Sequence, residues 1–481
     1  MRPHEAQTPA SAPAAVPDPE AVAHLRPKLA EVLGAGGLLL DADVRERGSG
    51  GRYNPPLRAS VLARPANTAE LAGVMRLCHD ARVPVVVHGG MTGLVNACEA
   101  EDGTVVVSLE RMNRIERVDA VQRVAIVQAG ATLQSVQEAA QAVGLFFPLD
   151  LGARGSCSVG GNASTNAGGN RVIRYGMMRD MILGLEVVLA DGTVLESLNT
   201  LIKNNTGYDL KHVFIGAEGT LGIITRLSLR LRESAAWRQL ALVSLPDFEA
   251  VQRTLRAVDR GLGGGMSAFE VMWPEYYRLV TEPPATNRRP LPADAAFYVL
   301  IEAEGGGDVL AGRERFESVI GECLEAGDLV DAAIAQNERE AQDFWAIRDD
   351  VRQMWRIQPI QGFDVSLPIA EMPAYIDGVR ARLRARWPES RLFVLGHLGD
   401  GNLHVTVNAG SGSDDEKFAI EQMVYEPLLP IGGAVSAEHG IGLMKKAWLP
   451  ASRKPAEIAA MRRMKMAFDP LGILNPGRIF D

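Results

Sequence analysis

Cysteine is scarce: this chain of 481 residues has 4, at positions 78, 98, 157 and 323. No two have Cys-x-x-Cys spacing, so the sequence supports neither a zinc knuckle, an iron–sulfur site nor a disulfide framework, and a cytoplasmic setting is the default. Long apolar runs are missing too, and none reaches the roughly 18–20 residues that span a bilayer. The N-terminus strings Pro3, Pro9, Pro13, Pro17 and Pro19 among alanines and acids, without the charged-then-apolar layout of a signal peptide. Positive charge is not in excess. The 50 Lys and Arg against 59 Asp and Glu leave a net charge of −9, which argues against a dedicated nucleic-acid binder. The fingerprints G-x-G-x-x-G and G-x-x-x-x-G-K-[ST] are both absent, and with them a Rossmann site and a P-loop.

What is present is a globular composition, 47% hydrophobic, in a chain long enough for two or three domains. Residues 1–20 read as a disordered lead-in. Residues 21–233 alternate short apolar strand runs with helical patterns. Composition shifts near residue 234 to longer helices separated by strands, up to about 430. Residues 431–481 carry a Gly-rich turn, a helix and a Pro/Gly-punctuated tail.

Glycine is in surplus, at 49 residues, about one in ten where roughly 7% is usual. Much of the surplus falls in three loops. One is Val87-His88-Gly89-Gly90-Met91-Thr92-Gly93-Leu94, directly after a strand. The second runs from Leu149 through Ser156, Gly160, Gly161 and Asn162 to Gly169. The third is Gly216-Ala217-Glu218-Gly219-Thr220-Leu221-Gly222-Ile223-Ile224-Thr225. All are rich in Gly, Ser, Thr and Asn. One such loop is merely a turn, but three in one domain suit the phosphates of a large cofactor, whose charge consecutive N–H groups can hold.

On these loops the sequence resembles the flavin-dependent oxidases and dehydrogenases of the vanillyl-alcohol-oxidase (PCMH) type. It is most similar to their D-2-hydroxyacid branch: the D-2-hydroxyglutarate and D-lactate dehydrogenases and the glycolate oxidase flavin subunit. Arg174-Tyr175-Gly176, the run from Gly184 to Thr193 and Asn205-Thr206-Gly207-Tyr208-Asp209-Leu210 add to the likeness. The resemblance implies an α+β fold: a PCMH-type FAD-binding domain of two α+β subdomains, an α+β cap domain with an antiparallel sheet, and a C-terminal helical segment. It implies non-covalent FAD, with Gly89, Gly90, Thr92 and Gly93 at the pyrophosphate. Pro148, Ser156, Gly160, Gly161, Asn162, Thr165 and Asn166 belong around the flavin and phosphates. Glu218, Gly219 and Ile223 belong by the adenosine, Asn475 near the flavin, and His88 beside a phosphate.

A second constellation carries reactive groups. In Gly396-His397-Leu398-Gly399-Asp400-Gly401-Asn402-Leu403-His404 two apolar runs flank Gly-Asp-Gly-Asn, a hairpin signal that lets the two imidazoles converge. Glu438-His439-Gly440 follows. Three of the chain's 8 histidines fall in these motifs. From the residues alone, a divalent-metal set and hydrogen-bonded core histidines both stay open. The resemblance implies that His397, His404 and Glu438 ligate zinc or a similar ion. It makes His439 the general base and Arg348 the anchor of the substrate carboxylate, with hydride passing to flavin N5.

Departures bear on the substrate. Arg352, Gly362 and Thr406 stand where D-2-hydroxyglutarate dehydrogenases carry threonine, lysine and asparagine. Arg352 is expected to replace the lost charge, and Thr406 to line the same subsite, or else the substrate has a different tail. The expected electron acceptor is an electron-transfer flavoprotein or a quinone. Alternatives are the flavin subunit of a complex whose iron–sulfur centre comes from a partner chain, and a transferase like alkyl-dihydroxyacetone-phosphate synthase. Relatives are often dimers, so a homodimer is a further expectation.

Overall fold

Short valine runs build the first sheet. Leu38–Leu40 (β1), Val61–Ala63 (β2), Val85–His88 (β3) and Val105–Ser108 (β4) lie in the order β1-β2-β4-β3. β2, β4 and β3 are parallel and β1 is antiparallel to β2. Every residue of β4 is buried, as expected of parallel strands, which are covered on both faces. The helix Thr68–Asp80 leads into β3. Its N-cap Asn67 accepts the Glu70 amide at 3.0 Å, which satisfies one of the orphan donors of the first turn. This computed structural model describes residues 15–34, 36–51 and 54–480. Residues 1–14 of the expected lead-in lie outside that set, and the rest runs into a helix, Pro19–Leu33.

A second sheet is antiparallel. It comprises Ile115–Asp119 (β5), Val124–Gln128 (β6) and, after the two-residue strand Leu145–Phe146 (β7), Ile182–Val188 (β8), Val194–Ser197 (β9) and Ile223–Arg230 (β10). Their order is β5-β6-β10-β8-β9, and Arg232–Glu233 (β11) pairs back with β7. The β8–β9 hairpin closes on Asp191-Gly192, where Gly192 has φ +80°. The two sheets are tied by buried Glu186 of β8. Its carboxylate accepts Thr225 Oγ1 at 2.8 Å and, from the first sheet's helix, Thr68 Oγ1 at 2.5 Å.

These two subdomains form one unit together with residues 438–480. The C-terminal tail lies along β3: the Val85 amide donates to Ile473 O and the Asn475 amide to Val85 O, both at 2.8 Å. An ion pair between buried Asp469 and partly buried Lys465 holds the tail in that course. Asp469 accepts the Ile473 and Leu474 amides at 3.1 and 2.8 Å and Lys465 Nζ at 2.5 Å. The ammonium also donates to the carbonyls of Thr220 and Leu474 at 2.8 Å each.

The second unit comprises Gly169–Gly176 and Ser234–Ala437. Its sheet has seven antiparallel strands: Trp237–Leu245 (β12), Met266–Met272 (β13), Phe297–Gly305 (β14), Asp331–Ile334 (β15), Gln361–Ser366 (β16), Arg391–His397 (β17) and Asn402–Asn408 (β18). They run in the order β15-β12-β14-β13-β17-β18-β16. Helices Pro274–Thr281 and Glu338–Asp349 bury Tyr276, Tyr277, Phe344 and Ile347 against Leu300 and Leu395 of this sheet. Residues 169–176, from the middle of the stretch read as FAD-binding, are held here by polar contacts. Tyr175 OH donates to Glu304 Oε1 at 2.6 Å, Arg174 to Gly265 O at 2.8 Å and Arg171 Nε to Glu302 Oε1 at 3.3 Å. The whole has the expected α+β class, with an antiparallel cap sheet.

Because buried Asp469 balances the largely enclosed ammonium of Lys465, an Asp469→Ala variant leaves that charge without its counter-ion. It should lose about 3–5 kcal/mol of stability, read as a lower urea midpoint. A loss below about 1 kcal/mol contradicts this account of the tail.

Candidate flavin cavity and metal centre

In the first unit the glycine-rich loops meet around one cavity of about 300 Å³. The loop after β3 stacks on the segment 156–158. A Cβ on Gly90 would lie 2.3 Å from Ser156 O and 2.7 Å from Cys157 Cα, so only glycine permits that approach. Its amide donates to Ser158 Oγ at 3.1 Å, and the same hydroxyl caps the helix Val159–Ser164. Gly160 serves similarly: a Cβ there would lie 2.5 Å from Ala129 Cβ. Gly93 has nothing within 4 Å of where its Cβ would be, so it is open.

Of the residues expected around FAD, Gly89, Gly90, Thr92, Gly93, Gly160, Gly161, Asn162, Thr165, Glu218, Gly219, Ile223 and Asn475 line this cavity. Glu438 and His439 line it as well. Among the described residues, His88, Pro148, Ser156 and Asn166 do not belong to the lining, and each has other work. His88 is buried with Nε2 2.8 Å from Cys98 O, and burial pushes its imidazole down to about 4. Ser156 supplies the peptide under Gly90. Asn166, at φ +50°, accepts the Arg179 amide at 3.0 Å. Pro148 lies between Phe147 and Leu149, whose carbonyls accept from Gln137.

Asn475 is the cavity's clasp. Its Oδ1 accepts the Val87 amide at 2.9 Å and its Nδ2 donates to Glu218 O at 2.7 Å. Glu218, expected by the adenosine, lines the cavity and turns its side chain to the main chain at 441–442. Its buried carboxylate accepts the amides of Ile441 and Gly442 at 2.7 and 2.8 Å. Burial pushes its carboxyl up, and those two N–H groups oppose the rise.

In the second unit the strand register assembles the histidines. Leu395 pairs with His404, His404 with Asp364, and His397 with Glu270. The hairpin turn between β17 and β18 has Gly401 at φ +84°. The two imidazoles come together with centroids 5.2 Å apart and planes at 81°. Each has a carboxylate beside it: Glu270 Oε1 is 2.7 Å from His397 Nδ1, and Asp364 Oδ1 is 4.0 Å from His404 Nδ1. Carboxylates in that place orient metal-ligating imidazoles and raise their basicity. Glu438 follows Ala437, the last residue of this unit, whose amide reaches Asp364 O at 3.4 Å.

Arg348 is buried at the end of Glu338–Asp349, with its Nε on Glu270 Oε2 at 2.8 Å and Nη1 on Asp349 at 3.1 Å. Its Nη2 lies 3.1 Å from His397 Nε2. Burial opposes Glu270's charge, yet His397 and Arg348 together hold its carboxyl down to about 2. Arg352 is exposed on the short helix Val351–Arg356. Thr406 is buried on β18, paired with Gly362, on the same face as His404. Glu270 and Asp364 were missed from sequence. The available signal was a lone carboxylate inside an apolar strand, Ala268-Phe269-Glu270-Val271-Met272.

A family model described as FAD linked oxidases, C-terminal domain, matches residues 234–479, and an FAD binding domain model matches 59–197. The chain belongs to the FAD-linked oxidases. Among its relatives is the mitochondrial D-2-hydroxyglutarate dehydrogenase of Bos taurus, 40% identical over 87% of this chain and 76% of that protein. The corresponding enzyme of Arabidopsis thaliana is 39% identical over 88% and 75%. That of Xanthomonas citri pv. viticola is 37% identical over 88% and 89%. Solved structures share the fold. A 4-ethylphenol oxidase from Gulosibacter chungangensis has a TM-score of 0.73 at 16% identity, covering 96% of this chain and 98% of that one. An alkyldihydroxyacetonephosphate synthase gives 0.71 at 17%, covering 96% and 86%.

Removing the carboxylate behind His397 should weaken a bound divalent ion. Glu270→Gln is expected to lower zinc affinity about 10–100-fold, measured by equilibrium dialysis. Unchanged affinity would mean that this carboxylate orients no ligand.

Proposed function

We propose that the chain is an FAD-dependent dehydrogenase that oxidises a D-2-hydroxyacid to the 2-oxoacid. The observation that carries this reading is that Glu438 and His439 line the same glycine-loop cavity that suits FAD. Agreement with relatives named for D-2-hydroxyglutarate supports it. The cavity's fit to FAD rests on the close-packed loops of Gly90 and Gly160 and the open main chain at Gly93. The fit of a divalent ion, with zinc the first choice, rests on two adjoining imidazoles, each beside a carboxylate.

In this reading His397, His404 and Glu438 are the ion's ligands, and Glu270 and Asp364 hold the two imidazoles in orientation. When bound, FAD accepts the hydride and the ion supplies Lewis acidity to a chelating hydroxycarboxylate. His439 takes the proton of the substrate hydroxyl, work for which an imidazole is suited. Arg348 adds positive charge for a carboxylate, although its Nε and Nη1 are already committed to Glu270 and Asp349. D-2-hydroxyglutarate is the first candidate substrate. The open space over Gly362, beside Thr406, suits a substrate tail, and Arg352 is the charge assigned to its distal carboxylate.

An electron-transfer flavoprotein or quinone as acceptor, a homodimer and a cytoplasmic location belong to the same proposal. Among the described residues no helix is long and apolar enough to cross a membrane, and all four cysteines are free. A stoichiometric iron–sulfur partner that copurifies would recast the chain as a flavin subunit. The synthase alternative has only likeness of fold behind it.

The base assignment is tested by mixing wild-type and His439→Ala proteins anaerobically with D-2-hydroxyglutarate in a stopped-flow instrument. The variant should reduce its flavin about 10²–10⁴-fold more slowly. Equal rates would refute His439 as the base.

A further inference from the structure

The turn that carries Glu438 and His439 has neither helix nor strand to hold it. Among the contacts that hold it is one side chain from across the cavity wall. Glu218 commits one carboxylate oxygen to each of two consecutive amides, Oε1 to Ile441 at 2.7 Å and Oε2 to Gly442 at 2.8 Å. The turn is shaped to receive it. Gly440 has φ +81°, and a Cβ there would lie 2.7 Å from Glu218 Oε1. Gly442 has φ +50°, and a Cβ there would lie 2.3 Å from Val95 O, the acceptor of the Leu443 amide at 3.0 Å.

Glu218 is itself constrained. Its φ is +52°, a region costly for a residue with a Cβ and one that persists only where surroundings over-determine it. Asn475 provides that determination by donating to the Glu218 carbonyl at 2.7 Å. Glu218 and Gly219 line the same cavity as Glu438 and His439. Glu218 therefore both lines the cofactor space and grips the reactive turn.

We propose that Glu218 is a positioning residue. Its paired, charge-assisted hydrogen bonds set the 438–442 turn so that His439 and Glu438 stand in fixed register with the flavin cavity. It acts through the main chain of the turn and does no chemistry itself. This rests on the reading of His439 as base and Glu438 as ligand.

Two substitutions disturb the grip from opposite sides. Glu218→Gln replaces one acceptor oxygen with an NH₂ group facing an N–H, so one amide of the turn is left unpaired. Gly440→Ala crowds the same carboxylate from the turn and changes no charge. Both are compared, as FAD-loaded protein, with wild type and His439→Ala by anaerobic stopped-flow reduction with D-2-hydroxyglutarate in excess zinc. Zinc retention is measured separately by equilibrium dialysis.

The expected result for both variants is normal flavin content and a half-saturating substrate concentration near that of wild type. The limiting reduction rate should fall about tenfold or more, since displacement of a reacting group by about 1 Å can cost 10²-fold. Zinc should be retained less tightly. Wild-type rates and zinc retention in both variants overturn the proposal. If Glu218→Gln fails to hold flavin, Gly440→Ala decides alone, and wild-type behaviour there overturns it. Wild-type reduction by His439→Ala would instead overturn the base assignment, which separates the two failures.

Discussion

Main chain lying directly against main chain is the constraint on which the flavin cavity depends. The loop after β3 rests on residues 156–158 through Gly90, and the helix Val159–Ser164 rests on Ala129 through Gly160. A single methyl group at either place would drive backbone into backbone, and backbone has nowhere inexpensive to move in a close-packed interior. Much of the glycine surplus therefore builds the cavity wall, and a smaller part, such as Gly93, is open. The wall is fastened by polar groups that each bind several segments at once. Asn475 joins β3 to the loop of Glu218, and Lys465 with Asp469 holds the tail that carries Asn475.

The second unit solves a different problem. One imidazole, His397, and an arginine, Arg348, are buried in it beside half-buried His404, and buried charge is tolerated only when paired. Sheet register supplies the pairing: Glu270 stands opposite His397 and Asp364 opposite His404. The same carboxylates that make burial tolerable also fix ring orientation, which is what a metal centre needs from its surroundings. Tyr276 completes the support by donating its hydroxyl to the Arg348 carbonyl at 2.7 Å.

Features local in sequence were legible. The hairpin around Gly399-Asp400-Gly401 and the three glycine loops depend on neighbours a few residues away. Features that depend on distant partners were not. Glu270 meets His397 across 127 residues, and Glu218 meets Ile441 across 223. The excursion of residues 169–176 into the cap unit hides for the same reason, because Arg174 and Tyr175 find their partners near residues 265 and 304. His88 shows a subtler limit. Its place beside a glycine loop was plain, but the turn of its ring toward Cys98 O is settled by packing that no local pattern encodes.

The central claim is that hydride leaves C2 of a D-configured 2-hydroxyacid for the flavin of this chain. Anaerobic flavin absorbance, followed against matched D- and L-2-hydroxyacids, tests it most directly. Bleaching by at least one D-2-hydroxyacid is expected, with formation of the 2-oxoacid, and none by its L-enantiomer. Flavin that stays oxidised with every D-2-hydroxyacid in the panel would contradict it.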